Sequence, residues 1–312
     1  MGKVIITGVG GNFGAYTARS IMHKMNKEDL IFTSANRAAL QIYAEEGVMT
    51  RFADFNDAKQ LPEAFAGGET LLLISLPFVG PKRRQLHKHA IDGAKAAGVK
   101  KIIYVSVVGA GDPENKSLVK IDHEYTENYI KEVGGMDYIF MRDAQYTEAM
   151  ISQFEQSVAM GGLLRNNMGD GKMAFVSRND CAEAAACLAA GAGQPNSIYH
   201  ITGPELLSIA EFMAIGTTIT GHEVRYEYIN EEEMYRTFDA MGVPRTTDGD
   251  FSKSAWPFCS DDMVSFGKAI HDHKMNIFTE DFKRLTGKKP LSVREIFKHL
   301  EDYRLGQRNA TE

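Results

Sequence analysis

Short apolar runs alternate with amphipathic stretches through the first half of the chain. KVIITGV (3–9), a β-branched run, DLIFTSAN (29–36), VMTRFADF (48–55), TLLLISLP (70–77), VKKIIYVSVV (99–108) and DYIFMRDA (137–144) have strand length. Several lack any polar alternation, as expected of parallel strands covered on both faces. Between them lie stretches of helical period. In NFGAYTARSIMHKM (12–25), Phe13, Ala18, Ile21, Met22 and Met25 fall roughly on one face. RAALQIYAEEG ends at Gly47, a C-terminal cap. AKQLPEAFAG, KRRQLHKHAIDGAKAAG and HEYTENYIKEVG complete the helical set. Strand and helix alternating over about 145 residues predict an α/β fold with a doubly wound parallel sheet.

Regularity fades after Tyr146. A helix is expected over 147–159, an Ala-rich helix at DCAEAAACLAAG and a seventh strand at SIYHITG (197–203). SIAEFMAIGTTITG, NEEEMYRTFDAMG and SVREIFKHLEDYRLGQ have helical character, residues 246–266 have weak periodicity, and the terminal GQRNATE is expected to fray. The expected organisation is a nucleotide-binding unit over 1–150, to which 172–203 returns, and a smaller, mostly helical lobe over 151–312.

Composition adds exclusions. The 312 residues are 44% hydrophobic and 24% charged with net charge −6, and PKRR and KKIIY read as solvated edges, so a nucleic-acid footprint is absent. Three scattered cysteines make neither a disulfide framework nor a zinc site. The pairs His87/His89 and His271/His273 lack a third ligand, so no metal is expected. The longest apolar run is far short of the roughly 20 residues of a membrane span. The first strand begins at Lys3, which leaves no room for a signal peptide, and a cytoplasmic setting is expected. Whether the chain forms a homodimer is left open.

TGVGGNFG (7–14) carries the chemistry. Gly8, Gly11 and Gly14 sit where the first strand turns into the first helix, and a backbone free of Cβ atoms lets N–H groups approach a pyrophosphate. This context predicts a Rossmann-type fold holding a dinucleotide. The second strand ends in Ser34-Ala35-Asn36-Arg37 without an acid for a ribose 2′-hydroxyl. Arg37 can face a 2′-phosphate, which favours NADP(H) over NAD(H), or it is a solvated residue opening a helix. Asp54 and Phe55 fall where an adenine edge should pack, although Asp54 can equally cap the next helix.

TGVGGNFG, FADFND, KKIIYVS, FMRDAQYTE, GDGKMAFVSRNDCAEAA and LTGKKPLSVREI together resemble the NmrA-like, atypical short-chain dehydrogenase/reductase family. Its quinone oxidoreductase and triphenylmethane reductase branch is the most similar. The resemblance implies an NAD(P)H-dependent oxidoreductase acting on a quinone, enone, carbonyl or other conjugated aromatic acceptor. The same family implies an alternative, a non-catalytic NADP(H) sensor. Asn12 and Phe13 would line the pyrophosphate, while Ser75, Pro77 and Ser106 would border the nicotinamide. The family's arginine after the second strand is displaced here to Arg37.

No tyrosine has a lysine four residues later, so the usual Tyr–Lys pair of short-chain dehydrogenases is missing. His123 with Thr126 and Glu127 matches the branch, which makes His123 a candidate cofactor contact and catalytic acid. Tyr125, Glu127 and Lys131 are expected on the helix surface. Arg142 is expected to pair with a carboxylate or loop carbonyls, and Ser177 or Asp180 to cap a helix. Phe78, Tyr146, Trp256 and Phe258 are candidate contacts for a flat hydrophobic substrate, with core packing the alternative for Trp256 and Phe258.

Overall fold

The computed structural model describes residues 2–248, 251 and 254–303. The first half alternates as the pattern predicts: β1 (Lys3–Ile6), α1 (Asn12–Met22), β2 (Leu30–Ser34), α2 (Arg37–Glu45), β3 (Met49–Phe52), α3 (Leu61–Phe65), β4 (Gly68–Leu73), α4 (Pro81–Ala96), β5 (Lys101–Val107), α5 (Leu118–Val133) and β6 (Asp137–Asp143). α6 (Thr147–Ala159), β7 (Leu163–Asn166), β8 (Lys172–Met173), α7 (Arg178–Ala189) and β9 (Ser197–Ile201) follow. The remainder comprises β10 (Leu207–Ser208), α8 (Ile209–Thr220), β11 (Arg225–Tyr228), α9 (Glu231–Ala240), α10 (Ser260–His271), α11 (Asp281–Thr286) and α12 (Val293–Lys298).

Seven strands form one sheet in the order β3-β2-β1-β4-β5-β6-β9, and every pairing is parallel. Alternate residues of each strand go to opposite layers. Val4, Ile6, Phe32, Leu72, Ile103 and Val105 join the core under α1, α6 and α7. Ile5, Ile31, Leu71, Leu73, Ile102 and Tyr104 join the core under α3, α4 and α5. Burial on both faces is why these strands read as unbroken apolar runs. The strand order reverses between β1 and β4, so the carboxyl ends of these two strands form the crevice where open α/β sheets bind ligands.

After α6 the chain makes two small pairings, β7 with β11 and β8 with β10. It then returns to the main body: α7 packs along α1 and β9 pairs β6. A third apolar cluster forms around Phe238, Val243 and Val264, with Trp256 and Phe258 against it. α10 packs on α5, joining this cluster to the main body.

Several elements differ from the sequence expectation. The main strands stop earlier, so Ser75 and Pro77 lie in a loop beyond β4. The helix expected at His123 starts at Leu118. The weakly periodic segment becomes α10 from Ser260 onward. The helix expected at 292–307 ends at Lys298, where a capping box at Ser292 and Glu295 opens it and a 3₁₀ turn over Leu300–Tyr303 follows. GQRNATE lies outside the described residues.

Glu127 is not on the surface. It is buried and takes two bonds from Arg142, Nε at 2.9 Å and Nη2 at 2.5 Å, while Ser106 donates to it at 2.7 Å. Arg142 thus pairs with a carboxylate, as expected. Tyr125 and Lys131 are exposed. Truncating Glu127 to Ala strands a buried guanidinium, and a loss of about 3–5 kcal/mol is expected in denaturant unfolding. A Glu127→Ala/Arg142→Met double variant should recover part of that loss; equal stability of the single variant and the parent would show the pair to be dispensable.

Candidate functional site

The glycine turn forms at the crevice. Gly8 takes φ +64°, a conformation that costs other residues. Gly11 is the N-cap of α1, and its N–H donates to the Gly8 carbonyl at 3.0 Å. A Cβ on Gly14 would lie inside the van der Waals envelope of that same carbonyl oxygen, so only glycine lets α1 seat this tightly. A Cβ on Gly10 would reach 2.8 Å from Ser34 Oγ. The start of α1 carries no side-chain cap on its N–H groups, which suits a pyrophosphate. Asn12 is exposed at the first helical position; Phe13 is buried, its ring 6.4 Å from that of Tyr146.

At the end of β2, Asn36 caps α2 by accepting from Ala39 N–H at 3.1 Å. Arg37 is exposed, and its guanidinium lies 4.0 Å over the Phe52 ring. Among the described residues no carboxylate pairs with Arg37. Asp54 does not cap α3, which begins only at Leu61. Its Oδ1 accepts from Asn56 N–H at 2.9 Å and closes an Asx turn. Phe55 packs against the second core, and its carbonyl meets His89 Nδ1 at 2.8 Å.

The loop after β4 is tied to α4 and α5 by a buried polar network. Arg83 Nη2 donates to His123 Nε2 at 2.8 Å, so that nitrogen carries no proton, and His123 Nδ1–H faces Tyr104 Oη at 2.9 Å. Leu76 N–H donates to His87 Nε2 at 3.1 Å, which leaves the His87 proton on Nδ1, toward Thr126 Oγ1 at 3.1 Å. Gly80 N–H donates to Asp122 at 2.6 Å, and Arg83 and Arg84 neighbour the same carboxylate. Burial first, and the Arg83 charge second, hold both imidazoles well below the usual histidine range. His123 therefore lies neutral and buried, with both ring nitrogens engaged by protein groups. This arrangement orders the loop carrying Ser75, exposed Pro77 and half-buried Phe78.

Ser106 is buried and its hydroxyl is committed to Glu127. Tyr146, just past β6, is half-buried between Phe13 and the Arg178 guanidinium, which lies 5.4 Å from its ring. Its hydroxyl shares a 2.9 Å hydrogen bond with Asp143 Oδ2. Trp256 and Phe258 stand 5.7 Å apart, with Phe258 5.9 Å from Phe238, so both take part in packing the third cluster. Thr247 Oγ1 donates to the Val79 carbonyl at 2.8 Å and brings the preceding segment to the same loop. Ser177 caps α7 as expected, whereas Asp180 accepts from Leu291 N–H at 2.8 Å. Among the described residues no group of three or more His, Cys, Asp or Glu could hold a metal ion, and no helix is long and apolar enough to cross a membrane.

Sequence reasoning missed Arg83, Tyr104 and Asp143. Tyr104 and Asp143 left a trace as polar tips in apolar strands. Arg83 left none: in PKRR it reads as solvated, yet it is buried.

A reversing parallel sheet with a bare-backbone helix start at its crevice defines a dinucleotide-binding protein of the Rossmann type. A family model described as NAD(P)H-binding matches residues 8–190, and the chain belongs to this NAD(P)H-binding family. Quinone oxidoreductase 2 of Escherichia coli (strain K12) is 32% identical over 241 residues, covering 77% of this chain and 82% of that protein. Among solved structures, the NADPH-dependent quinone oxidoreductase of Escherichia coli complexed with NADPH matches with a TM-score of 0.85 at 27% identity, over 96% of this chain and 99% of that one. The Citrobacter sp. triphenylmethane reductase complexed with NADP(H) matches with a TM-score of 0.82 at 25% identity, over 95% and 99%. The resemblance read from the motifs is thereby confirmed.

Gly14→Ala must push α1 off the Gly8 carbonyl. It is expected to cost about 1–3 kcal/mol of stability and to weaken NADPH binding in a fluorescence titration. Parental affinity in this variant would show that the tight seat is not needed for the cofactor.

Proposed function

We propose that this protein is an NADPH-dependent reductase that delivers a hydride to a quinone or a related conjugated acceptor, such as an enone, an aromatic carbonyl compound or a cationic dye. The observation that carries the reading is the match to the quinone oxidoreductase complexed with NADPH, which spans nearly all of both chains, lobe included. The residues present fit such a cofactor. The N–H groups at the start of α1 would hold the pyrophosphate beside Asn12 and Phe13, and Asn36 and Arg37 would meet the ribose phosphate. Asp54 and Phe55 would border the adenine. The loop with Ser75 and Pro77, together with the Ser106 end of β5, would flank the nicotinamide. Phe78, Tyr146, Trp256 and Phe258 are the proposed substrate contacts. The bound cofactor supplies the hydride; the chain positions it and excludes water.

His123 enters this reading as a positioning group: with both nitrogens engaged, it orders the loop through Tyr104 and Arg83. A quinone-like acceptor tolerates the lack of a Tyr–Lys pair, because its negative charge delocalises and water can supply the proton. The same features support the second reading, a non-catalytic NADP(H) sensor. The unit boundaries proposed are 1–150 with 172–203, and 151–312. A cytoplasmic setting belongs to the proposal and is supported by three free cysteines. Sedimentation would decide between a monomer and a homodimer, and no nucleic-acid partner is proposed.

The test is NADPH and NADH titration followed by oxidation against a benzoquinone, an enone, an aromatic ketone and a cationic dye. Turnover of any member is expected, whereas tight binding without turnover favours the sensor. Arg37→Ala removes one charge-assisted contact, worth about 1.5–3 kcal/mol. NADPH should weaken roughly 10- to 100-fold while NADH changes little; an equal loss for both would remove Arg37 from the 2′-phosphate.

A further inference from the structure

We infer that Tyr146 is the proton donor to acceptors that must be protonated at oxygen, and that Asp143 stands behind it as the acid that restores its proton. This rests on the reductase reading above. His123 cannot serve, since neither of its ring nitrogens is open to a ligand. Tyr146 is the tyrosine packed against Phe13 at the cofactor turn, and its hydroxyl is 2.9 Å from Asp143 Oδ2.

Asp143 ends β6 and is buried. Its Oδ1 is sealed from solvent and has no N–H or O–H donor among the described residues. The groups facing it are the Tyr146 hydroxyl and the Cys181 thiol of α7. Glu148 and Asp180 stand beyond Cys181, and Arg178 lies over the Tyr146 ring. α1 contributes the uncharged Phe13. Among the described residues no cation pairs with the carboxyl, in contrast to Glu127. Burial pushes Asp143 up to about 8, and pushes the Cys181 thiol and the Tyr146 phenol well above their usual ranges. A protonated carboxyl donates its hydrogen bond to the phenol oxygen. The phenol's own proton is then uncommitted.

The step balances. As a hydride reaches the carbon of a carbonyl acceptor, the C=O π pair moves onto oxygen and the Tyr146 proton passes to that oxygen. The Asp143 proton passes to the phenolate, and once the product has left, a solvent proton returns to the carboxylate through the half-buried Tyr146 hydroxyl at Oδ2. The reduced nicotinamide that supplied the hydride is left oxidised by two electrons. A cationic triarylmethane dye needs no such proton, because hydride addition alone neutralises it.

The test compares these two acceptors. A positioned general acid contributes typically 10²–10⁴-fold, so Tyr146→Phe should lower kcat on an aromatic ketone at least about 100-fold more than on the dye. The ketone profile of the parent should fall above pH 8, where Asp143 has lost its proton, and Asp143→Asn should abolish that limb. In the cofactor-free protein, NMR of ¹³C-labelled aspartate should show one carboxyl titrating near 8 that is missing from Asp143→Asn. Equal losses on ketone and dye, a pH profile unchanged in Asp143→Asn, or no aspartate titrating above pH 6 would each overturn the assignment. A parent that reduces neither acceptor would overturn the reductase reading itself, and the donor role with it.

Discussion

The first turn of α1 lies directly on the Gly8 carbonyl, and the rest of the site depends on that contact. β1 is an interior strand, buried on both faces and paired with β2 and β4, so the point where it ends is fixed by the sheet on either side. Because Gly8 turns left-handed and Gly14 lacks a Cβ, α1 starts at once and points its unpaired N–H groups over the strand reversal. A helix displaced outward by one methyl group would carry Phe13 away from Tyr146 and loosen its long packing on α7. Cofactor seat, cleft wall and sheet cover are therefore set together.

Much of this was legible in the chain. Strands covered on both faces must be apolar, so β1, β2, β4 and β5 were visible as runs; the half-exposed edge strands β3 and β9 were legible from their length and place between helices, and the glycine turn announced itself by position. The short pairs β7–β11 and β8–β10 were not, because two to four residues carry no period. α10 was obscured by a core face made of Val264, Gly267, Ala269 and Ile270, two of which are small. The site was legible where backbone geometry demanded glycine and illegible where charge compensation decided. Glu127 occupies a helical position that local periodicity assigns to solvent; its partner Arg142 arrives from the next strand and makes burial tolerable. Arg83 hides in a basic run because Asp122 and His123 receive it from a different helix.

Two buried carboxyl groups, Glu127 on α5 and Asp143 at the end of β6, have opposite surroundings. Glu127 has a guanidinium in bidentate contact and is tied into the fold by it. Asp143 has a phenol and a thiol for neighbours and, among the described residues, no paired cation. The same side-chain chemistry becomes structural in one place and titratable in the other, purely through what the adjacent element supplies. The two imidazoles between α4 and α5 represent a third case. Each is locked in one tautomer by a group that can only donate, Arg83 for His123 and the Leu76 N–H for His87, so neither ring needs to carry a charge to hold the loop above it.

The order of strands also bears on how the molecule is made. β9 completes the sheet beside β6, yet 53 residues separate Asp143 from Ser197, and they include α6, both β7 and β8, and α7. As the chain leaves the ribosome, β6 presents an unpaired apolar edge until the polypeptide has been extended through Ile201. An open edge of this kind is a template for pairing with another nascent chain. The interval over residues 144–196 is therefore the one in which elongation speed and chaperone cover bear on yield.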